Sequence, residues 1–421
     1  MKIRELTERL LQFIWESPSC YHTADNAKKA LAAAGYEELT ETEKFRICPG
    51  GKYYVMRNDS SLLAFRIPQK DPKGFHIVAS HSDTPGFKLK EKPERREGTY
   101  VKLNVEKYGG MILSTWLDRP LAVAGRVVLR REGKLQSVPV DLKEISCVIP
   151  NLAIHLNREM NQGIEYNPQT DMQPLVALGD GFSLKEILAE KLQTVPEDIL
   201  GTDLFLYCRE KGTFLGYEEK LIGAPRLDDT QCAFASLDGF LQAEPKEYIN
   251  VYALFDNEEV GSRTRQGADS DLLETVLTRV AAALGKAQEV PQMAACSFLL
   301  SADNGHALHP NHPEKYDADN RPVLNGGIVI KYHGNQQYTT DAYTGAVVKD
   351  LCEKEKIPYQ IYANRSDIAG GSTLGNISAS HLSVPTADIG LAQLAMHSAF
   401  ETAGAEDTVH MVRLTKAFYE Q

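Results

Sequence analysis

From about Ile222 onward the chain alternates short apolar runs with stretches of helical spacing: TQCAFASLDGFLQA, YINVYALF, DLLETVLTRVAAALGKA and MAACSFLLS. Strand, helix, strand in that order restricts the fold sharply, because it argues for a largely parallel sheet with helices on its faces. The N-terminal part continues the theme. MKIRELTERLLQFIWESPS has helical spacing, and DNAKKALAAAG (25–35) predicts a second helix with Gly35 as its C-terminal stop; Pro18 separates them. The strand-type runs KYYVMR, SLLAFRI and GFHIVAS come next, divided by the turn signals RNDSS and PQKDPKG.

Between these parts the composition shifts. EKPERREGTYVKLNVEKYGG is charged and Gly-rich, LAVAGRVVLR is β-branched, and Ser183 with Glu186 has capping-box spacing at the start of a helix. The expected fold class is therefore α/β. A three-layer domain with a mostly parallel central sheet, built from residues 1–91 and 223–421, is interrupted by a β-rich insert over 92–222. A length of 421 residues fits either one large domain with an insertion or two domains.

Composition narrows the function. With 43% apolar and 24% charged residues the chain reads as a globular protein. A formal net charge of -11 and scattered Lys and Arg disfavour nucleic acid or an anionic membrane surface as partner. The N-terminus lacks the apolar core of a signal peptide, and no run is long enough to span a bilayer. Seven cysteines without C-x-x-C spacing predict reduced thiols and a cytoplasmic protein.

Acids and histidines recur where apolar runs end. FHIVAS is followed by His81 and Asp83, YALF by Asp256, Glu258 and Glu259, CSFLLS by Asp303, and TADIGLAQLAM by His397. In open α/β sheets the ligand crevice lies beyond the carboxyl ends of the strands, so such residues can converge. Clustered acids repel one another, and divalent cations remove the problem; Asp, Glu and neutral His are the ligand mixture zinc takes. Two dications against three carboxylates leave one positive charge, which a shared hydroxide would cancel; coordination lowers the pKa of water from about 15.7 to about 7.

In HSD (81–83), Asp83 lies on the same side of extended chain as His81 and is placed to fix its tautomer. The adjacent Glu258 and Glu259 point in different directions, which suits one free general base and one ligand. LDD (227–229) offers Asp228 as a carboxylate shared between two ions.

Taken singly, each motif has a plainer meaning. An HxD is more often a surface pair, EE a solvated helix face, and Asp303 a turn cap. His306, His309 and His312 stand at spacing three, but Pro310 and Pro313 argue against a helical ligand face. GGST, with Gly370 and Gly371, is either a connection or a place where backbone amides approach a ligand. His155 in NLAIHL reads as a core histidine. No G-x-S-x-G, G-x-G-x-x-G or Walker A run is present.

HSDTPGFKLK, YGGMILSTWLDRPLAVAGRV, NLAIHLNREMN, APRLDD, FDNEEVGS, SADNGHALHPN and LAMHS resemble, in that order, the aspartyl aminopeptidase family of di-zinc metallopeptidases, from about residue 15 to the C-terminus. The resemblance implies a catalytic domain interrupted by a dimerisation domain, and dimers assembled into a tetrahedral dodecamer with an enclosed chamber. It implies one zinc on His81 and Asp303, another on Glu259 and His397, and Asp228 bridging them. Manganese and cobalt are the alternative ions. Glu258 becomes general base and then general acid, and Asp83 the partner of His81. By the resemblance His155 reaches the active site of a neighbouring subunit, which replaces the core reading.

The chain departs from the family pattern at NQQY, where Asn335 stands in place of a lysine that meets an acidic substrate side chain. LDD replaces LDN, and IAGGSTLG, containing Gly370 and Gly371, differs from the family glycine loop in detail. The expected function is removal of an N-terminal residue from peptides, acidic by the resemblance. The alternatives are neutral or broad specificity, another di-metal amidohydrolase such as a carboxypeptidase or deacylase, and a non-catalytic assembly that uses metal only to hold its fold.

Overall fold

A computed structural model describes residues 2–421. The chain divides into two units: residues 1–83, 212–396 and 401–421 form the first, and residues 84–211 with 397–400 the second. The first unit is built on a nine-stranded sheet. Its strands in chain order are β1 (Glu37–Glu38), β2 (Lys52–Arg57), β3 (Ser61–Arg66), β4 (Phe75–His81), β5 (Ile249–Phe255), β6 (Phe298–Ala302), β7 (Ile328–Tyr332), β8 (Tyr359–Ala363) and β9 (Thr386–Gly390). Across the sheet they run β1-β2-β3-β5-β4-β6-β9-β7-β8. The central strands β5, β4, β6 and β9 are mutually parallel, while β3 and β7 join them antiparallel.

The apolar runs in β4, β5, β6 and β9 are continuous because every residue in them is buried. Their side chains alternate between two cores. Val78, Tyr252, Leu254 and Leu300 face one side, against helices Ile3–Glu16, Cys20–Ala33, Leu227–Gln242, Ala342–Glu355 and Asp407–Tyr419. Ile77, Ala79, Val251, Ala253 and Leu299 face the other, against helices Leu272–Ala283, Val290–Cys296 and Leu374–His381. This is the three-layer arrangement expected of the alternating pattern. The second helix starts at Cys20, five residues before the predicted Asp25, because Cys20, Tyr21 and Ala24 are buried and begin the apolar face at once.

A smaller five-stranded sheet in the same unit joins Gly305–His306 to Ala392–Leu394, Glu401–Gly404, Leu221–Ala224 and Thr213–Leu215. The second unit carries a six-stranded antiparallel sheet, with its core completed by helix Leu184–Lys191. Ser183 caps that helix by accepting the Glu186 N–H at 3.3 Å. All seven cysteines are free thiols, and no helix among the described residues is long and apolar enough to cross a membrane.

Register aligns the carboxyl ends of the central strands. His81 stands opposite Phe255, and Ala79 opposite Ser301. The segments that succeed β4, β5 and β6 therefore leave the sheet along one edge.

His76, in β4, stacks on Tyr248 with centroids 3.9 Å apart and lies 4.7 Å from the Phe418 ring. Burial pulls its pKa down to about 4. A depressed base contributes its full stability above the unfolded value of about 6.5 and loses it as pH falls toward 4, a change of about 3 kcal/mol. Urea unfolding at pH 7 and pH 4.5 should show a smaller acid-side loss for His76→Phe than for the parent chain; equal losses would reject this account.

Candidate metal centre

His81, the last residue of β4, is 1% exposed. Its Nδ1–H donates to the Asp83 backbone carbonyl at 3.0 Å, with the Asp83 carboxylate at 3.4 Å. A carbonyl can only accept, so the proton sits on Nδ1 and Nε2 keeps its lone pair, the form that ligates metal. Nε2 stands 3.6 Å from Asp228 Oδ1 and 3.8 Å from Asp303 Oδ1. These separations are too long for hydrogen bonds. They are close to the spacing of two donors that each lie about 2 Å from a shared tetrahedral ion, roughly 3.3 Å.

Asp303 follows β6, its N–H bonded to the Ile389 carbonyl at 3.0 Å. Asp228 enters from helix Leu227–Gln242, whose first turn is distorted: Arg226 has φ +60° and Asp228 an extended ψ of 111°. The Arg226 guanidinium pins that turn by donating to the carbonyls of Ser17 and Ile14. The Asp228–Asp229 peptide bond is cis.

After β5, Asn257 adopts φ +62° and Glu258–Val260 form one turn of 3₁₀-helix. Asn257 is held by Thr264 and Gln266, both donating to its side-chain oxygen. Asp256 is buried and accepts the Asn257 N–H at 2.7 Å, so of the three acids in this segment it serves the turn itself. Glu258 and Glu259 come together with His81 as potential ion donors, and Asp228, Asp229 and Asp303 form a second group with the same histidine.

One pattern ties these segments together. The backbone N–H groups of Glu258 and Glu259 donate to separate oxygens of Asp83, at 3.1 and 3.2 Å. The N–H of His81 donates to Asp229 at 3.2 Å, and that of Asp228 to Glu401 at 3.1 Å. Three buried acids thus grip the main chain of four candidate site residues.

The electrostatics reflect this crowding. Burial pushes the Glu258 carboxyl up to about 8, with Asp303 and Asp83 adding to the rise. Burial, then the charge of Asp228, holds Glu259 well above the carboxylate range, and burial does the same to Asp229. For His81 burial acts to lower the pKa, but the surrounding carboxylates of Asp228, Asp229 and Asp303 outweigh it, and without a cation between them the value lies well above normal. A group of acids that takes up protons to relieve repulsion is a donor set suited to divalent cations.

The other predicted residues are Asn335, Gly370, Gly371, His155 and His397. Asn335 is exposed and its N–H donates to His333 Nδ1 at 3.1 Å, while His333 Nε2–H donates to the Ala369 carbonyl at 3.0 Å. His333 therefore links the Asn335 turn to the loop of Gly370 and Gly371. Gly370 has φ +71°, and a Cβ there would meet the Asn364 amide at 2.1 Å; Gly371 faces open space. His397 lies in the short segment that belongs to the second unit, with φ +66° and Nδ1–H donating to the Gly110 carbonyl at 3.1 Å. His155, also in the second unit, is exposed in a turn between exposed Ile154 and Leu156. The core reading of NLAIHL fails because the whole segment, residues 151–156, is exposed. His306 and His312 are exposed, and His309 Nδ1 accepts the Asn311 N–H.

The family model for the aminopeptidase I zinc metalloproteases, M18, matches residues 13–419. The chain belongs to the M18 peptidase family. A Clostridium novyi protein described as a probable M18 family aminopeptidase 2 is 44% identical over 426 residues, covering 99% of this chain and 98% of the relative. A chain in the cryo-EM structure of the Ape4 and Nbr1 complex superposes with a TM-score of 0.94 at 33% identity, over 99% of this chain and 86% of that one. The S. cerevisiae mApe1 dodecamer gives a TM-score of 0.88 at 29% identity, over 99% and 96%. This M18 protein is accordingly a zinc metallo-aminopeptidase, and its buried His, Asp and Glu group fits the metal the family carries.

The sequence did not point to Asp229, Glu401, Asn304 or Lys331. Lys331 and Glu401 are buried charges within or beside apolar runs, and that oddity is the signal that marks them.

Zinc that relieves carboxylate repulsion must stabilise the fold. Returning zinc to chelator-treated protein should raise the thermal midpoint, with linkage contributing about 4 kcal/mol at a thousand times the dissociation constant. A midpoint indifferent to zinc would contradict the assignment.

Proposed function

We propose that this M18 aminopeptidase binds two zinc ions, one on His81 and Asp303 and one on Glu259 and His397, with Asp228 shared, and that Glu258 moves the proton in peptide hydrolysis. The assignment of the second ion and of the shared ligand rests on the family resemblance. The observation that carries the first is the approach of His81 Nε2 to Asp228 and Asp303 beside the Glu258–Glu259 turn. When bound, zinc polarises a scissile carbonyl and makes water acidic enough to attack near neutral pH.

The chain's own groups do the rest. Asp83 holds the amides of Glu258 and Glu259 and so fixes where the two side chains begin. Glu258, carried beside His81 by the 3₁₀ turn, is placed to accept a proton from water and return it to the leaving amine. His81 and His397 each keep the proton on Nδ1 through a backbone carbonyl, which presents Nε2 as donor. A carboxylate free of ligand duty supports hydrolysis over a purely structural metal site.

The substrate is the N-terminal residue of a peptide, with acidic residues favoured by the resemblance. Neutral residues are the second reading, because Asn335 brings no positive charge and its N–H is engaged by His333. Rates on a series of acidic and neutral aminoacyl substrates, alongside acylamino substrates for the carboxypeptidase and deacylase alternatives, decide between them. An advantage of Asp or Glu over Ala and Leu is expected; a reversed order selects the second reading. The mApe1 dodecamer supports a like assembly here, with tetrahedral symmetry, the insert expected over residues 92–222 as dimerisation element and His155 serving a neighbouring subunit. Free thiols support a cytoplasmic location.

Glu258→Gln should keep two zinc ions per chain and lose roughly 10²- to 10⁴-fold in turnover, whereas His397→Ala should retain only one. Metal analysis with single-turnover rates checks both; full activity of the glutamine variant would reject the base assignment.

A further inference from the structure

Lys331, in β7, is the only lysine or arginine buried among the described residues, at 2% exposure. Its side chain passes between two glycines. A Cβ at Gly305 would stand 3.4 Å from Lys331 Cε, and one at Gly390 would stand 3.1 Å from it. The channel admits a linear side chain and little else. Nζ donates to the Asn304 carbonyl at 2.8 Å and lies 5.5 Å from the Tyr338 ring centroid.

Two acids are near enough to balance that charge, and the hydrogen bonds distinguish them. Asp388 is fully buried, but Thr373 donates to one of its oxygens and the Thr339 amide and hydroxyl to the other. Asp303 Oδ2 stands 3.6 Å from Lys331 Nζ, an ion pair without a hydrogen bond, while Asp303 Oδ1 faces His81 Nε2. The two oxygens of one candidate ligand carboxylate therefore face different partners, the Lys331 ammonium and the lone-pair nitrogen of His81.

We propose that Lys331 is a positioning residue that restricts Asp303 to one-oxygen ligation and so keeps a coordination position open for water or substrate. The inference rests on Asp303 being a ligand, as in the function proposed above. Carboxylates bind metal through one oxygen or two, and the choice depends on what holds the second. Asn304 stabilises the arrangement: its carbonyl anchors Nζ, and its side chain is fixed by Leu227, Gln231, Gln393 and Cys232. Groups that orient a ligand from outside the coordination sphere change metal affinity or activity by roughly 10- to 100-fold when removed.

Cobalt(II)-loaded enzyme tests the idea, because its visible absorption weakens as coordination number rises. Lys331→Met and Lys331→Gln free the second oxygen of Asp303, and the cobalt bands should fall several-fold while kcat falls more than KM rises. The glutamine variant, which keeps a donor for the Asn304 carbonyl, decides the matter if the methionine variant fails to fold. Cobalt spectra equal to wild type in a folded variant would overturn the role of Lys331 and leave the ligand assignment standing. A wild-type chain that takes up no cobalt or zinc would instead overturn the proposed metal centre itself.

Discussion

The centre of this protein is a concentration of like charge that water alone does not relieve. Asp228, Asp229, Glu258, Glu259 and Asp303 meet around His81 where exposure is low. Protons or cations must enter, and the raised pKa values of Glu258, Glu259 and Asp229 are the response of the chain without metal. The parallel order of β5, β4, β6 and β9 makes the concentration geometrically available, since it delivers their ends to one edge. The helices on both faces supply the apolar burial that offsets the cost of holding acids together.

Acids at the centre divide into two kinds of work. Asp83, Asp229 and Glu401 accept main-chain N–H groups, and the segments they hold are those that carry His81, Asp228, Glu258 and Glu259. A carboxylate that accepts from backbone is charge-assisted and geometrically fixed. The main chain of the candidate ligand and base residues is therefore fixed by neighbouring carboxylates. Lys331, the one buried lysine or arginine among the described residues, stands against the Asp303 oxygen that does not face His81.

Much of this was legible in the sequence. The apolar runs marked the central strands, and the abrupt change to His, Asp and Glu after them marked the edge where chemistry could gather. Motif order then suggested the roles proposed above. The features that stayed hidden did so for physical reasons. Strands of two to four residues, such as Gly305–His306 and Ala392–Leu394, are too short to display a period, so the five-stranded sheet left no trace. Glu401 and Asp229 act through hydrogen bonds to main chain, which no spacing rule encodes. Lys331 depends on the absence of side chains at Gly305 and Gly390, positions far away along the chain. NLAIHL misled because apolar residues on an exposed segment look like core until burial is known.

Because each oxygen of Asp83 grips a different amide, the histidine motif and the diacid turn share a single mechanical joint. Displacing either segment must stretch these bonds, so the positions of His81, Glu258 and Glu259 are tied to one another.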